Sequence, residues 1–186
     1  LRGARSAADV ALKGDARGTC PAPTTQYGVY ARNFEGTEMS TLSENETREL
    51  VLANHILYRH GVVDGFGHVS RRDSSDPNLF WLSRSMAPAL VTAADILPFD
   101  MDANALVENP PAVYAERFIH SEIYRNHPEV MSVVHSHAPS IIPFGVVGDA
   151  RLRAIFHMSS FLGQDTPIFE IRDHAGDASD LLIRTA

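Results

Sequence analysis

The side chains best suited to chemistry in this chain lie in His135-Ser136-His137. On a β-strand, positions i and i+2 project from one face, so both imidazoles point together while Ser136 points away. Two neutral imidazoles side by side chelate a divalent metal. The plainer alternative is a pair of strand-end histidines hydrogen-bonded to backbone. Glu116 favours the metal: in Tyr114-Ala115-Glu116-Arg117-Phe118-Ile119-His120 it stands at i to the i+4 of His120, on one helical face. A short turn from that helix into the strand brings Glu116 toward the histidines and completes a two-histidine, one-carboxylate set. Its alternative is an exposed glutamate paired with Arg117.

Composition narrows the field. The chain has 186 residues, 44% apolar and 21% charged, the profile of an ordinary soluble domain, with net charge −7 against general binding to nucleic acid. The single cysteine, Cys20, excludes an internal disulfide, a cysteine-rich zinc site and a CxxC pair. It fits a reducing compartment, and the cytoplasm is the expected location. There is one lysine, Lys13, in a segment that reads as irregular, which leaves no lysine for Schiff-base chemistry. Any metal must therefore be held by His, Asp or Glu. No apolar run reaches the roughly 18 residues of a membrane span; Ile141 to Val147 is interrupted by Pro143 and Gly145. Nothing at the start reads as the apolar core of a signal peptide. HExxH and GxSxG are both absent, and the HxH continues Ala138-Pro139-Ser140-Ile141, without the following glutamate of a cupin.

A second feature is Gly65-Phe66-Gly67-His68-Val69-Ser70, a glycine-rich turn entering a strand. Its glycines let backbone approach an anion, and Ser70, Ser83 and Ser85 offer hydroxyl donors. Arg84, between two serines, has the fork geometry for a carboxylate or phosphate. A simple turn before a hairpin explains the glycines equally well.

These side chains need elements to hold them. Residues 1–40 carry scattered Gly and Pro with no sustained period and read as an irregular N-terminal arm; residues 41–186 read as the folded domain. Ser43-Glu44-Asn45-Glu46 has capping-box spacing, and Leu50, Ala53, Ile56, Leu57 and His60 continue at helical spacing to Gly61. His68 to Arg71 and Leu79 to Leu82 read as a hairpin around Asp73 to Asn78. Thr92 to Asp95 is a weaker capping signal before an extended Ile96 to Phe99. A second helix is predicted over Val113 to Asn126, closed by Pro128. Met131 to His137 reads as a buried strand, Pro139 opens a short helix, and Ile155-Phe156 and Pro167 to Ile171 suggest further strands. Strands alternating with helices predict an α/β or α+β sandwich.

Taken in order, Gly67-His68-Val69-Ser70, Leu82-Ser83-Arg84-Ser85, Glu116-Arg117-Phe118-Ile119-His120 and Val134-His135-Ser136-His137 resemble the class II aldolase/adducin family over roughly Ser43 to Arg172. The resemblance implies a three-layer α/β/α sandwich with a central, mainly antiparallel sheet, assembled as rings of four with active sites between subunits. His135 and His137 match two of the family's three metal histidines, and Glu116 matches its acid/base glutamate, which can also ligate the metal. Gly67, His68 and Ser70 fall in the substrate-anion loop, with Ser83, Arg84 and Ser85 as its second half.

Three departures refine this expectation. His68 stands where sugar-phosphate aldolases usually carry Asn, and Ser83-Arg84-Ser85 replaces their Thr/Ser-Gly segment. Both resemble the branch acting on hydroxylated aromatic acids. The family's third metal histidine belongs to a later His-Gly-type segment, which the sequence to Ala186 does not contain; His157 and His174 are the later histidines, and neither matches. The expectation is a C-terminally truncated domain, or a metal held by His135, His137 and Glu116 with water, His157 being a further recruit. The implied function is a metal-dependent carbon–carbon lyase, aldehyde-lyase or carboxy-lyase, acting on a small hydroxylated carbonyl or carboxylate substrate. Zinc is the first choice of ion, with manganese, iron or cobalt as alternatives. The ion stabilises an enediolate or carbanion while Glu116 moves the proton. The rivals are a non-heme iron oxygenase on a hydroxyaromatic acid and an adducin-like structural domain of weak or no activity. The expected partners are a small-molecule substrate and further copies of the chain, without nucleic acid or membrane.

Overall fold

The computed structural model describes residues 41–163 and 166–169; the N-terminal arm, residues 1–40, lies outside them. Helix α1 (Glu44–Arg59) starts on the expected capping box: Ser43 Oγ accepts from the Glu46 amide at 3.2 Å, and Glu46 Oε2 accepts from the Ser43 amide at 3.0 Å. These Ser43 hydrogen bonds, with those from Ser74 and the Arg71 charge, hold the Glu46 carboxyl down at about 2. The helix ends at Gly61, whose φ of +65° suits the position. Its inward stripe is Thr47, Leu50 and Asn54, whereas Ile56, expected on the buried face, is 54% exposed.

Four antiparallel strands follow: β1 (His68–Arg72), β2 (Leu79–Ser83), β3 (Ile96–Asp100) and β4 (Ser132–His135), in sheet order β3-β2-β1-β4. Asp73 closes the β1–β2 hairpin, accepting from the Ser75 and Asp76 amides at 2.7 and 2.9 Å and from Trp81 Nε1 at 2.7 Å. The pleat sends Val69, Trp81 and Ile96 to one face, against Leu50 of α1 and Val91. Phe80, Leu82, Leu97, Phe99 and Val133 go to the other, against Tyr114 and Tyr124. Tyr124 belongs to helix α2 (Arg117–Asn126), which covers this second face. Helix, sheet and helix form the expected three-layer α/β/α arrangement. Among the described residues no helix is long and apolar enough to cross a membrane.

Several elements differ from the sequence reading. Helix α2 begins at Arg117 rather than Val113, because Ala112 to Tyr114 are tied to a distant segment. The Ser85 amide bonds the Ala112 carbonyl at 2.8 Å, and the Tyr114 hydroxyl donates to the Met86 carbonyl while accepting from the Met86 amide. Strand β4 stops at His135 and is buried only at Val133. It is the sheet edge, so Ser132 and Val134, turned to the α1 side, stay exposed. Its end coincides with Ser136, whose hydroxyl bonds the Val62 carbonyl. The helix expected from Pro139 is the short α3 (Ile142–Val146). Thr92 and Asp95 make their cap, with the Thr92 amide and hydroxyl on Asp95 Oδ2, but around a single 3-10 turn, Ala93–Asp95. Ile155 and Phe156 form no strand; they are 84% and 58% exposed before a 3-10 turn at His157–Leu162. Residues 167–169 are irregular, and positions 170 and 171 of that expected strand lie outside the described residues.

Candidate metal centre

The antiparallel pairing of β1 with β4 sets His68 opposite His135 and Ser70 opposite Val133, all on the α2 face of the sheet. His137, just past the strand, keeps the i+2 alternation: His135 Nε2 and His137 Nε2 are 2.8 Å apart, with the rings perpendicular. Glu116 sits at the N-cap of α2, its side chain making no cap bond. Its carboxylate joins the histidines instead, and one ligand atom from each of the three lies within 4.8 Å of the others. All three residues are half-buried.

This donor set fits a divalent first-row metal. Zinc ligands about 2.1 Å from the ion in tetrahedral array sit roughly 3.4 Å from one another. The 2.8 Å nitrogen pair and the 4.8 Å outer limit bracket that spacing. Burial, reinforced by His137, pushes His135 below its ordinary pKa against the opposing charges of Glu116 and Asp64. The ring is therefore neutral at pH 7 and offers a lone pair, the form a metal needs.

The residues expected to bind substrate have distinct surroundings. A Cβ on Gly67 would lie 2.5 Å from Val63 Cβ and 3.0 Å from the His135 carbonyl oxygen, so the missing side chain admits the neighbouring backbone. The Gly67 amide is taken by Asp64 Oδ1 at 2.9 Å. His68 is fully buried, stacked near-parallel on His135 with ring centroids 4.9 Å apart and 4.0 Å from the Tyr114 ring. Ser70 is also fully buried, its hydroxyl 2.6 Å from His120 Nδ1 and 2.7 Å from the Tyr124 hydroxyl. Ser83, paired with Ile96, falls on the α1 face by strand alternation, away from the histidines, and is buried. Arg84 is partly exposed, with Nε 2.6 Å from Asp95 Oδ1. Burial pushes the Asp95 carboxyl up, but hydrogen bonds from Thr92 and Arg84 outweigh it and leave the group below its ordinary value. Ser85 is exposed. The fold thus gathers Glu116, His135, His137 and His68, with Gly67 against the His135 backbone.

Four participants escaped the sequence reading. Asp64 Oδ1 lies 3.8 Å from His137 Nδ1, and bonds from the Phe66 and Gly67 amides hold its carboxyl below its ordinary value. Tyr114 covers His68. His120 Nε2 meets His68 Nδ1 at 2.9 Å, and Tyr124 closes the chain behind Ser70. The i+4 spacing from Glu116 marked His120, though not as a buried partner of His68. Burial first, then neighbouring imidazoles, depresses His68 to about 2 and His120 to about 3, so both rings are neutral. His68 Nε2 is buried and has no hydrogen-bond partner among the described residues. Leaving such an atom unpaired costs about 1–3 kcal/mol. His157 is exposed and outside the cluster, and His174 lies outside the described residues.

Comparison with known proteins agrees with this architecture. The profile of the Class II Aldolase and Adducin N-terminal domain matches residues 48–184. Decarboxylase tropJ of Talaromyces stipitatus is 43% identical over 141 residues, covering 74% of this chain and 53% of that protein. The 3,4-dihydroxyphthalate decarboxylase of Arthrobacter keyseri is 31% identical over 124 residues, covering 61% and 49%. The chain spans about half the length of these relatives. Among solved structures, the L-fuculose 1-phosphate aldolase of Glaciozyma antarctica superposes with TM-score 0.55 at 24% identity, over 64% of this chain and 53% of that one. That of Thermus thermophilus gives 0.51 at 20%, over 62% and 55%. At these identities the superpositions speak for the fold.

Proposed function

The chain belongs to the class II aldolase and adducin family, and from that premise we propose that it is a metal-dependent carbon–carbon lyase that decarboxylates a hydroxylated aromatic acid. The observation that carries this reading is the convergence of Glu116, His135 and His137 within 4.8 Å at the end of β4. The decarboxylase names of two relatives support carbon dioxide, rather than an aldehyde, as the leaving fragment. A divalent ion held by these three residues, zinc in the first instance, supplies a Lewis acid for negative charge on a substrate oxygen.

The chain's own groups do the rest. When the carboxylate carbon leaves as carbon dioxide, the bonding electrons stay on the ring carbon. The proton that quenches them comes from solvent: the half-buried Glu116, once it lets go of the ion and takes up that proton, hands it to the ring carbon and returns as a carboxylate. Arg84, tied to Asp95 through Nε, keeps its terminal guanidinium nitrogens for an anionic substrate group, with the exposed Ser85 hydroxyl beside it. Gly67 and His68 wall the loop next to His135. We assign Ser70, whose hydroxyl is taken by His120 and Tyr124, and Ser83, on the α1 face, to building the site rather than to touching substrate. Assembly as a ring of four, each copy bordering its neighbour's site, is part of the same proposal; sedimentation that finds only monomer removes that part.

The test is metal analysis of the purified chain, followed by carbon dioxide release from 3,4-dihydroxyphthalate and a panel of dihydroxybenzoates, with oxygen uptake recorded in parallel. Bound divalent metal and release that needs both the metal and Glu116, lost in Glu116→Gln, support the reading. Release unchanged by chelator or by Glu116→Gln overturns it, as does a protein that takes up no divalent metal. Oxygen consumption coupled to turnover replaces it with the oxygenase.

A further inference from the structure

Behind the metal cluster runs an unbroken buried line of hydrogen-bonding groups: the Tyr124 hydroxyl, Ser70 Oγ at 2.7 Å, His120 Nδ1 at 2.6 Å from that serine, and His120 Nε2 facing His68 Nδ1 at 2.9 Å. The two facing ring nitrogens share one proton, so the line has a direction. If His120 donates from Nε2, its Nδ1 accepts from Ser70, and Ser70 accepts from Tyr124; every proton then has an acceptor. If His68 donates, the order reverses and the Tyr124 oxygen must accept from Ser70. The phenol proton is then left without an acceptor among the described residues. The Val133 amide that also reaches this oxygen is itself a donor, and the Arg72 guanidinium lies over the ring at 4.7 Å. Only the first order satisfies the line.

We propose that Tyr124, Ser70 and His120 form an oriented relay that fixes His68 as its Nε2–H tautomer, a neutral hydrogen-bond donor held beside His135 for a substrate oxygen that gains negative charge. The unpartnered, fully buried His68 Nε2 is the atom so presented. Tyr124, Ser70 and His120 are positioning residues; His68 is the group that meets substrate. A neutral donor stabilises developing charge without adding a second cation next to the metal. This role for His68 rests on the lyase reading; the tautomer itself does not.

The test is long-range 1H–15N spectroscopy of the full chain labelled in histidine, with the His68 signals assigned by their loss in His68→Gln. The expected result is a protonated Nε2 and a bare Nδ1 in metal-free protein, unchanged in kind on adding zinc. In Tyr124→Phe the His68 signals should move toward a mixture of tautomers. In that variant 3,4-dihydroxyphthalate should bind the zinc-loaded protein about tenfold more weakly, with zinc stoichiometry unchanged. A bare Nε2 in the unmodified protein overturns the proposal, whether or not the variant folds, as does zinc coordination at His68 Nε2. Equal ligand affinity and an unmoved tautomer in folded Tyr124→Phe overturn the relay. The tautomer is read without turnover, so failure of carbon dioxide release leaves it standing, and a reversed tautomer leaves the lyase standing.

Discussion

Gly67→Ala tests how closely the strand end that carries His135 is packed. The added Cβ would meet Val63 Cβ at 2.5 Å, Val63 Cγ1 at 2.9 Å and the His135 carbonyl oxygen at 3.0 Å. Val63 is 3% exposed and its Cβ cannot rotate away, so either its backbone or the end of β4 must shift. Overpacking of this kind costs about 1–3 kcal/mol. In a chain of this size each kcal/mol lowers Tm by roughly 2–4 °C. Because His135 is one of the two obstacles, part of the strain falls on a proposed metal ligand, and zinc affinity should drop together with stability. The assay is urea denaturation with zinc titration on the four corners of a cycle formed by Gly67→Ala and Val63→Gly. Val63→Gly alone empties a core position at a cost of about 2–4 kcal/mol. In the double variant the new methyl occupies part of that space, so the combined loss should fall short of the sum by at least ~0.5 kcal/mol. Additive losses, or a Gly67→Ala protein with unchanged stability and zinc affinity, would refute the packing argument.

Other perturbations separate metal, substrate and scaffold. His135→Ala should abolish zinc binding measured by equilibrium dialysis while circular dichroism stays native; retained stoichiometry removes His135 from the site. Arg84→Ala should weaken binding of a dihydroxyaromatic acid about tenfold or more with zinc content unchanged, and equal affinity excludes Arg84 from substrate contact. Ser43→Ala should cost about 1 kcal/mol through loss of the cap of α1. The same cap predicts a pH dependence. Glu46 is held at about 2 in the fold against an ordinary 4.5, so its contribution is complete above pH 4.5 and is lost as pH falls toward 2. Acid titrations of Ser43→Ala should show a smaller loss across that window, and parallel curves would count against the assignment.

Features encoded by neighbours in sequence were legible before the fold was known. The Ser43–Glu46 box, the hairpin around Asp73 and the shared face of His135 and His137 each depend on a few consecutive residues and one backbone period. What escaped depends on pairing partners far along the chain. The start of α2 was misplaced because the Tyr114 hydroxyl is held at Met86, a tie no local pattern announces. Ser83 looked equivalent to Arg84 and Ser85, yet its pairing with Ile96 turns it to the α1 face. Ser70 read as a free hydroxyl donor because its burial depends on α2 laying His120 and Tyr124 over it.

Glu116 shows how the sequence can point to a residue for an incomplete reason. The i, i+4 relation to His120 placed both on one helical face, but Glu116 stands at the helix start, with φ −77° and ψ 3° and no cap made by its side chain. Within the helix, a side chain leans back over the preceding turn. At the boundary the chain has just left the extended stretch anchored at Met86, and the carboxylate reaches across to β4. The same position therefore forgoes a side-chain cap, a device that elsewhere contributes about 1 kcal/mol, and brings a carboxylate to two imidazoles. That exchange of local stability for a convergent donor set is the mark expected of a site kept for chemistry. It also explains why helical periodicity pointed to the residue without disclosing the geometry that makes it useful.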